Sequence, residues 1–233
     1  MRDTSLSKTP GKPTVYEHKN INYLIPVFSL VYGPLAREME PLEHLDKTVR
    51  SEVQEDYSDF NTNIEDHLRY LPVASVYALG LAGVKGKNNT VDKTALFLIS
   101  NTLTNLSVKF LKQQTHRLRP DGSDHLSFPS GHTATAFVGA EFMNQEYKDR
   151  SPWYGVAAYT MASATGTLRM LNGKHWLSDV VMGAGVGILT TKMVYLAYPV
   201  VKGKIFGNKE SRMMIVPAYE QGLYGFSLAA KLN

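Results

Sequence analysis

Three short clusters carry residue types that can do chemistry on a charged group. The first is Lys112, Arg119 and Pro120: two cations seven residues apart, one at a helix C-terminus and one on the exit loop. The second is Ser127-Phe128-Pro129-Ser130-Gly131-His132-Thr133. Here a proline closes a loop and Ser130-Gly131 opens a helix, whose free N–H groups and positive dipole end form an anion site. Gly131 leaves room for an anion to approach the backbone. The third is Arg169-Met170-Leu171-Asn172-Gly173-Lys174-His175-Trp176-Leu177-Ser178-Asp179. His175 and Asp179 are four apart, so on a helix they share a face, and the carboxylate can accept one imidazole proton. The other ring nitrogen is then left as an aimed lone pair. Each cluster alone has a plain structural explanation: a solvated helix end, an N-cap serine, a helix-start ion pair. A carboxylate–histidine pair also occurs behind metal ligands, but too few further ligands stand at suitable spacing, so no metal site is expected.

Taken in order, Lys-x6-Arg-Pro, Pro-Ser-Gly-His and Arg-x5-His-x3-Asp resemble the signature of the type 2 phosphatidic acid phosphatase and vanadium-dependent haloperoxidase superfamily. The motifs run from Lys112 to Asp179, and with the flanking helical pattern the resemblance covers about residues 70–200. The segment from Arg119 to Asp124 leading into Ser127-Phe128-Pro129 is also similar to soluble bacterial members. One position departs: where the family usually has Ser before the third-cluster arginine, this chain has Leu168, which removes a hydroxyl but leaves Arg169. The resemblance implies that His175, oriented by Asp179, is a nucleophile forming a phosphohistidine. It makes His132 the acid that protonates the leaving oxygen. Lys112, Arg119, Ser130, Gly131 and Arg169 would bind the phosphate, with no metal and no cofactor. The expected reaction is hydrolysis of a phosphate ester, of a lipid, a pyrophosphate or a small soluble compound. The alternatives are a haloperoxidase holding vanadate in the same pocket, against which the short chain argues, and a non-catalytic phosphate-binding domain.

The elements that must position these clusters read as helices. A chain of 233 residues is long enough for one domain with its own core. Apolar stretches at Tyr70–Val84 and Val91–Gln114 read as two core helices parted by the polar turn Lys85–Asn89. Further helices are expected from Gly131 to about Tyr147, Trp153 to Leu168 and Leu177 to Tyr198. From about Met39 to Glu65, Leu42, Leu45, Val49 and Val53 recur at helical spacing among charges, which predicts a surface helix. Met213–Ala218 and Leu223–Leu232 alternate weakly around Glu220-Gln221-Gly222 and predict a β-hairpin. The fold class is therefore all-α: a compact helical bundle of the phosphatidic acid phosphatase/haloperoxidase type with a short C-terminal hairpin. Residues 1–14 read as a polar arm, 15–205 as the helical phosphatase domain and 206–233 as a tail.

Composition narrows the partners. The formal charge is +4, from 25 Lys and Arg against 21 Asp and Glu, without a basic run interleaved with aromatics, so nucleic acid is not expected. No cysteine is present, which excludes disulfides, thiolate nucleophiles and Cys-ligated zinc. Hydrophobic residues make up 43% of the chain. None of the charge-free stretches, of which Ile21–Ala36 is one, looks long and apolar enough to cross a bilayer, so they read as buried core. That predicts a water-soluble body with no transmembrane segment and at most a peripheral membrane contact. The substrate-selecting rim is expected in Asp121–Leu126, His125 included, and near Tyr16–Tyr32. The location expected from the family is the periplasm, after removal of a leader, with the cytoplasm as alternative.

Overall fold

The computed structural model describes residues 23–206 and the backbone of two strands at 213–220 and 223–230. Eight helices are present among these residues: α1 Leu24–Glu38, α2 Glu40–Asp56, α3 Ile64–Leu68, α4 Leu71–Leu81, α5 Thr90–Thr115, α6 Gly131–Tyr147, α7 Pro152–Leu171 and α8 Leu177–Phe206. Their starts follow the local chemistry. Asn89 caps α5 by accepting from the Asp92 amide, and Ser151 caps α7 ahead of Pro152 in the first turn. β1 Met213–Glu220 and β2 Leu223–Ala230 pair antiparallel with Glu220 opposite Leu223, the strand pairing of the expected hairpin. The expected 1–14 arm lies outside the described residues.

Helix α6 is the axis of the bundle and is buried nearly all round, with α4, α5, α7 and α8 packed about it. Small residues make that possible. Gly183 and Gly187 of α8 lie directly against the backbone of α6 near Ser130 and Ala134, and Gly166 of α7 meets Val180 of α8. Below the site, Val108, Phe128, Ala134, Met182 and Val186 form one apolar cluster; a second, around Phe142, Met143 and Tyr147, fills the far half. Glu141, buried mid-bundle, is satisfied by Lys192 at 3.0 Å, Gln145 and the Tyr159 hydroxyl.

Three expectations need correction. The segment 39–65 is two helices, α2 and α3, broken at residues 57–63, and its most buried residue is a carboxylate: Asp46, 1% exposed. Local hydrophobic spacing does not show a buried acid, because only its distant partners make the burial affordable. The charge-free stretch at Ile21–Ala36 is not core: α1 buries Pro26, Ser29, Gly33 and Ala36 and turns its large side chains outward. The expectation of no transmembrane segment is not supported either. Helix α8 is long and apolar enough to cross a membrane over Leu177–Lys204, with a mean hydropathy of 1.6 and less than half of that window buried. Exposed apolar stripes at helical spacing flank it: Leu24, Phe28, Val31 and Leu35 on α1, and Ile99, Leu103, Leu106 and Phe110 on α5. Both helices pack on α8. Two such exposed apolar stripes are uncommon on soluble monomers.

Candidate active site

All three clusters meet at one end of the bundle, because α5 and α7 end where α6 and α8 begin. Lys112 stands in the last turn of α5 and Arg169 in the last turn of α7. Ser130 caps α6, with Gly131 and His132 in its first turn. The Ser130 amide donates to the Asp179 carbonyl at 3.0 Å, locking the start of α6 to the start of α8.

His175 does not lie on a helix with Asp179, as the four-residue spacing suggested. It sits in the loop just before α8, and Asp179 is in the first turn. The Asp179 carboxylate accepts the Trp176 amide at 2.9 Å, curling the loop back over the helix start and bringing the imidazole close. His175 Nδ1 lies 3.5 Å from Asp179 Oδ2, facing the carboxylate but not aligned as a hydrogen bond. Its Nε2 faces Arg119, whose Nη1 is 3.4 Å away. Burial, at 3% exposure, pushes the His175 imidazole down to about 4; Asp179 opposes this, while Lys112 and Arg119 reinforce it. His175 is therefore neutral at pH 7, with a lone pair available.

The cations converge around it. Arg119 Nε donates to Asp124 at 2.8 Å and its Nη1 to the Lys174 carbonyl at 3.1 Å. Lys112 Nζ donates to the carbonyls of Leu126 and Ser127 and lies within electrostatic reach of Arg119, Arg169 and Asp179. Arg169 donates to Glu65 at 3.1 Å, and Glu65 also accepts from Asn172. His132 pairs through Nε2 with Asp66 at 2.6 Å. That hydrogen bond holds the Asp66 carboxyl below its ordinary range. Burial lowers His132 below its usual 6.5, and Asp66 offsets part of the drop. Ser130 is wholly buried, its hydroxyl accepting from Thr133 N and Oγ1, so its first role is the N-cap. Gly131 faces Val108 across an ordinary gap, leaving its amide in the open first turn. Among the described residues no group of three or more His, Asp or Glu side chains is placed to hold a metal ion.

The expected rim segment 121–126 does border these groups, through Asp121 on Lys174 at 2.6 Å and Asp124 on Arg119; His125 is exposed on the same loop. Of the stretch near Tyr16–Tyr32, residues 16–22 lie outside the described residues, and Tyr32 tucks its hydroxyl under the site within reach of Asp46 and Arg117. Sequence reasoning missed four residues: Asp46, Glu65, Asp66 and Arg117. Three are carboxylates from α2 and α3, each seated on a motif residue or its support. No local spacing marks them, since their partners are 66 or more residues away.

Comparison with known proteins places this arrangement. The family model described as the PAP2 superfamily matches residues 93–202, which hold all eight expected site residues and none of Asp46, Glu65 or Asp66. A relative named lipid A 1-phosphatase, from Porphyromonas gingivalis, is 42% identical over 137 residues; the match covers 58% of this chain and 31% of the relative, so the chain spans about a third of its length. Among solved structures, a transmembrane PAP2-type phosphatidylglycerolphosphate phosphatase from Bacillus subtilis aligns with a TM-score of 0.54 at 21% identity, over 76% of this chain and 98% of that one. An LpxE from Aquifex aeolicus aligns with a TM-score of 0.48 at 20% identity, over 63% of this chain and 93% of that one. Over the region that encloses its three clusters, the chain is similar to the PAP2 superfamily.

Proposed function

We propose that this chain is a phosphoric-ester hydrolase acting on a lipid phosphate at a membrane surface, with His175 as nucleophile. One observation carries the reading: a buried, neutral imidazole has one nitrogen turned toward an arginine and the other toward a buried carboxylate. A phosphate ester entering between His175 Nε2 and Arg119 would displace Asp124 and the carbonyls from the cations and take their place. Lys112, Arg119 and Arg169 then neutralise the phosphoryl oxygens, and the Gly131 amide adds a directed donor. His175 attacks phosphorus, the P–O bond to the lipid breaks, and His132 gives its proton to the departing oxygen. Asp179 balances the charge that develops on the His175 ring. Water activated by His132 then cleaves the P–N bond, releasing phosphate and restoring both histidines. These cations supply the charge that a metal supplies elsewhere, so the proposed reaction is metal-independent.

A lipid substrate is favoured by the apolar flank. Thirty residues make α8 about 45 Å long, more than the roughly 30 Å hydrocarbon core of a bilayer. With that flank against lipid, the site end sits at the headgroup level, where a lipid phosphate lies. The opposite end carries Lys85, Lys87, Lys148, Arg150, Lys202 and Lys204 beside its helix ends, the pattern of a cytoplasmic face. The site then faces the periplasm. Lipid A is the first substrate to test, because it is the one that the Porphyromonas gingivalis relative is named for.

The test is release of phosphate by the full chain in detergent micelles from lipid A 1-phosphate, phosphatidic acid and p-nitrophenyl phosphate. Turnover is expected to fall at least 1,000-fold in His175→Ala, on the order of the loss when a covalent nucleophile is removed. A pulse of labelled substrate should leave an acid-labile, base-stable phosphoryl group on wild type alone. A His175→Ala protein with near wild-type rate refutes the assignment.

A further inference from the structure

Behind the reacting face lies a second charged assembly that the three motifs do not contain. Arg117, on the exit loop of α5, spends its guanidinium away from the substrate side. Its Nη1 donates to Asp179 Oδ1 at 2.7 Å and to Ser178 Oγ at 2.7 Å, and its Nη2 donates to Asp46 Oδ2 at 2.7 Å. Asp46 reaches in from α2 and also accepts the Ser178 amide at 2.9 Å, capping α8 from a helix 132 residues away in sequence. The Trp176 ring, 5.2 Å from the guanidinium carbon, packs on it from the side. Asp46 and Asp179 are 1% and 0% exposed, and the Arg117 side chain is 14% exposed.

Two buried carboxylates thus share one guanidinium. Without that cation they would stand as uncompensated charges in a low-dielectric site, and one of them would take up a proton or turn away. Asp179 is the one that faces His175. Its remaining hydrogen-bond partners, the Ser127 hydroxyl and the Trp176 amide, are neutral and do not replace a charge-assisted contact. Arg119, two residues on, is committed to the opposite face with Asp124 and His175. The two arginines therefore have separate work: one meets the phosphate, the other holds the carboxylate.

We propose that Arg117, clamped by Asp46 of α2, is a positioning residue that fixes Asp179 and, through it, the orientation of the His175 ring. The inference rests on the reading of His175 as nucleophile. It also makes α2, which lies outside the matched family region, part of the machinery.

The experiment compares wild type, Arg117→Ala, Arg117→Lys and Asp46→Asn as full chains in micelles. Two readouts are used: steady-state kinetics with a soluble phosphate ester, and nitrogen-15 histidine NMR of the His175 ring without substrate. Arg117→Ala is expected to lower kcat on the order of 100-fold, the cost of a displacement near 1 Å, with KM within about threefold. The His175 resonances should move and broaden as the ring loses the fixed carboxylate it faces. Arg117→Lys should recover part of kcat, since it restores the charge but cannot bridge both carboxylates. Asp46→Asn should fall between wild type and Arg117→Ala. If the alanine variant does not fold, the lysine and asparagine variants decide by the same readouts. Unchanged His175 resonances in folded variants overturn the proposal, as does a loss confined to KM, which would make Arg117 a substrate ligand. Active His175→Ala protein overturns the nucleophile instead, and the NMR readout keeps the two failures apart.

Discussion

Gly183→Ala tests whether the site depends on how closely α8 lies on α6. A Cβ at Gly183 would stand 2.6 Å from the Ser130 carbonyl oxygen and 3.3 Å from the Ala134 amide nitrogen, both backbone atoms that cannot swing aside. To reach ordinary contact at 3.4 Å, α8 must retreat by roughly 0.8 Å. The retreat strains the Ser130 amide to Asp179 carbonyl bond, the link between the anion-binding helix start and the His175 loop. Overpacking costs about 1–3 kcal/mol, and alanine recovers about 1 kcal/mol of helix propensity, so the net loss of stability is at most about 2 kcal/mol. Activity should suffer more, because a misplacement near 1 Å costs on the order of 100-fold. Gly203→Ala is the control: it lies on the same helix, and a Cβ there meets nothing within 4 Å. Thermal melting and phosphate release are measured side by side on both variants in micelles. We expect Gly203→Ala to keep full activity and Gly183→Ala to lose 10- to 100-fold in kcat. A Gly183→Ala protein as active as the control would refute the reasoning.

Further outcomes follow from the electrostatics. For kcat/KM, His175 must be neutral, which holds above about 4, and His132 must be protonated, which holds below a value lower than 6.5, so the optimum should lie on the acid side of pH 6.5. Because Asp66 raises His132, Asp66→Asn should move the basic limb to lower pH, and a rate profile that does not move would show that the pair is inert. Vanadate should inhibit competitively and EDTA should leave the rate unchanged; Arg169→Ala should weaken vanadate inhibition and turnover together. A strict metal requirement, checked by adding back magnesium after EDTA, would refute the cation-only cradle.

Residue identities at short spacing were enough to announce the three clusters, because a helix start or end places Ser130, Gly131, His132, Lys112 and Arg169 by local rules. The helices α4 to α8 were legible from apolar runs and caps for the same reason, and the hairpin from its turn residues. What lay beyond local rules was decided by tertiary structure. The apolar residues of α1 read as core, yet an apolar stripe turned outward and one packed on protein have the same composition, and only the neighbours of the helix tell them apart. The His175 and Asp179 spacing suggested one helix face, whereas the contact is made by a loop folded back on a helix start. Asp46, Glu65 and the half-exposed Asp66 sit in or beside a segment whose charges looked like a solvated surface. A carboxylate declares itself buried only when the cation that neutralises it is brought from far along the chain, and it is the packing of α2 and α3 over the bundle end that delivers Arg117, Arg169 and His132 to them.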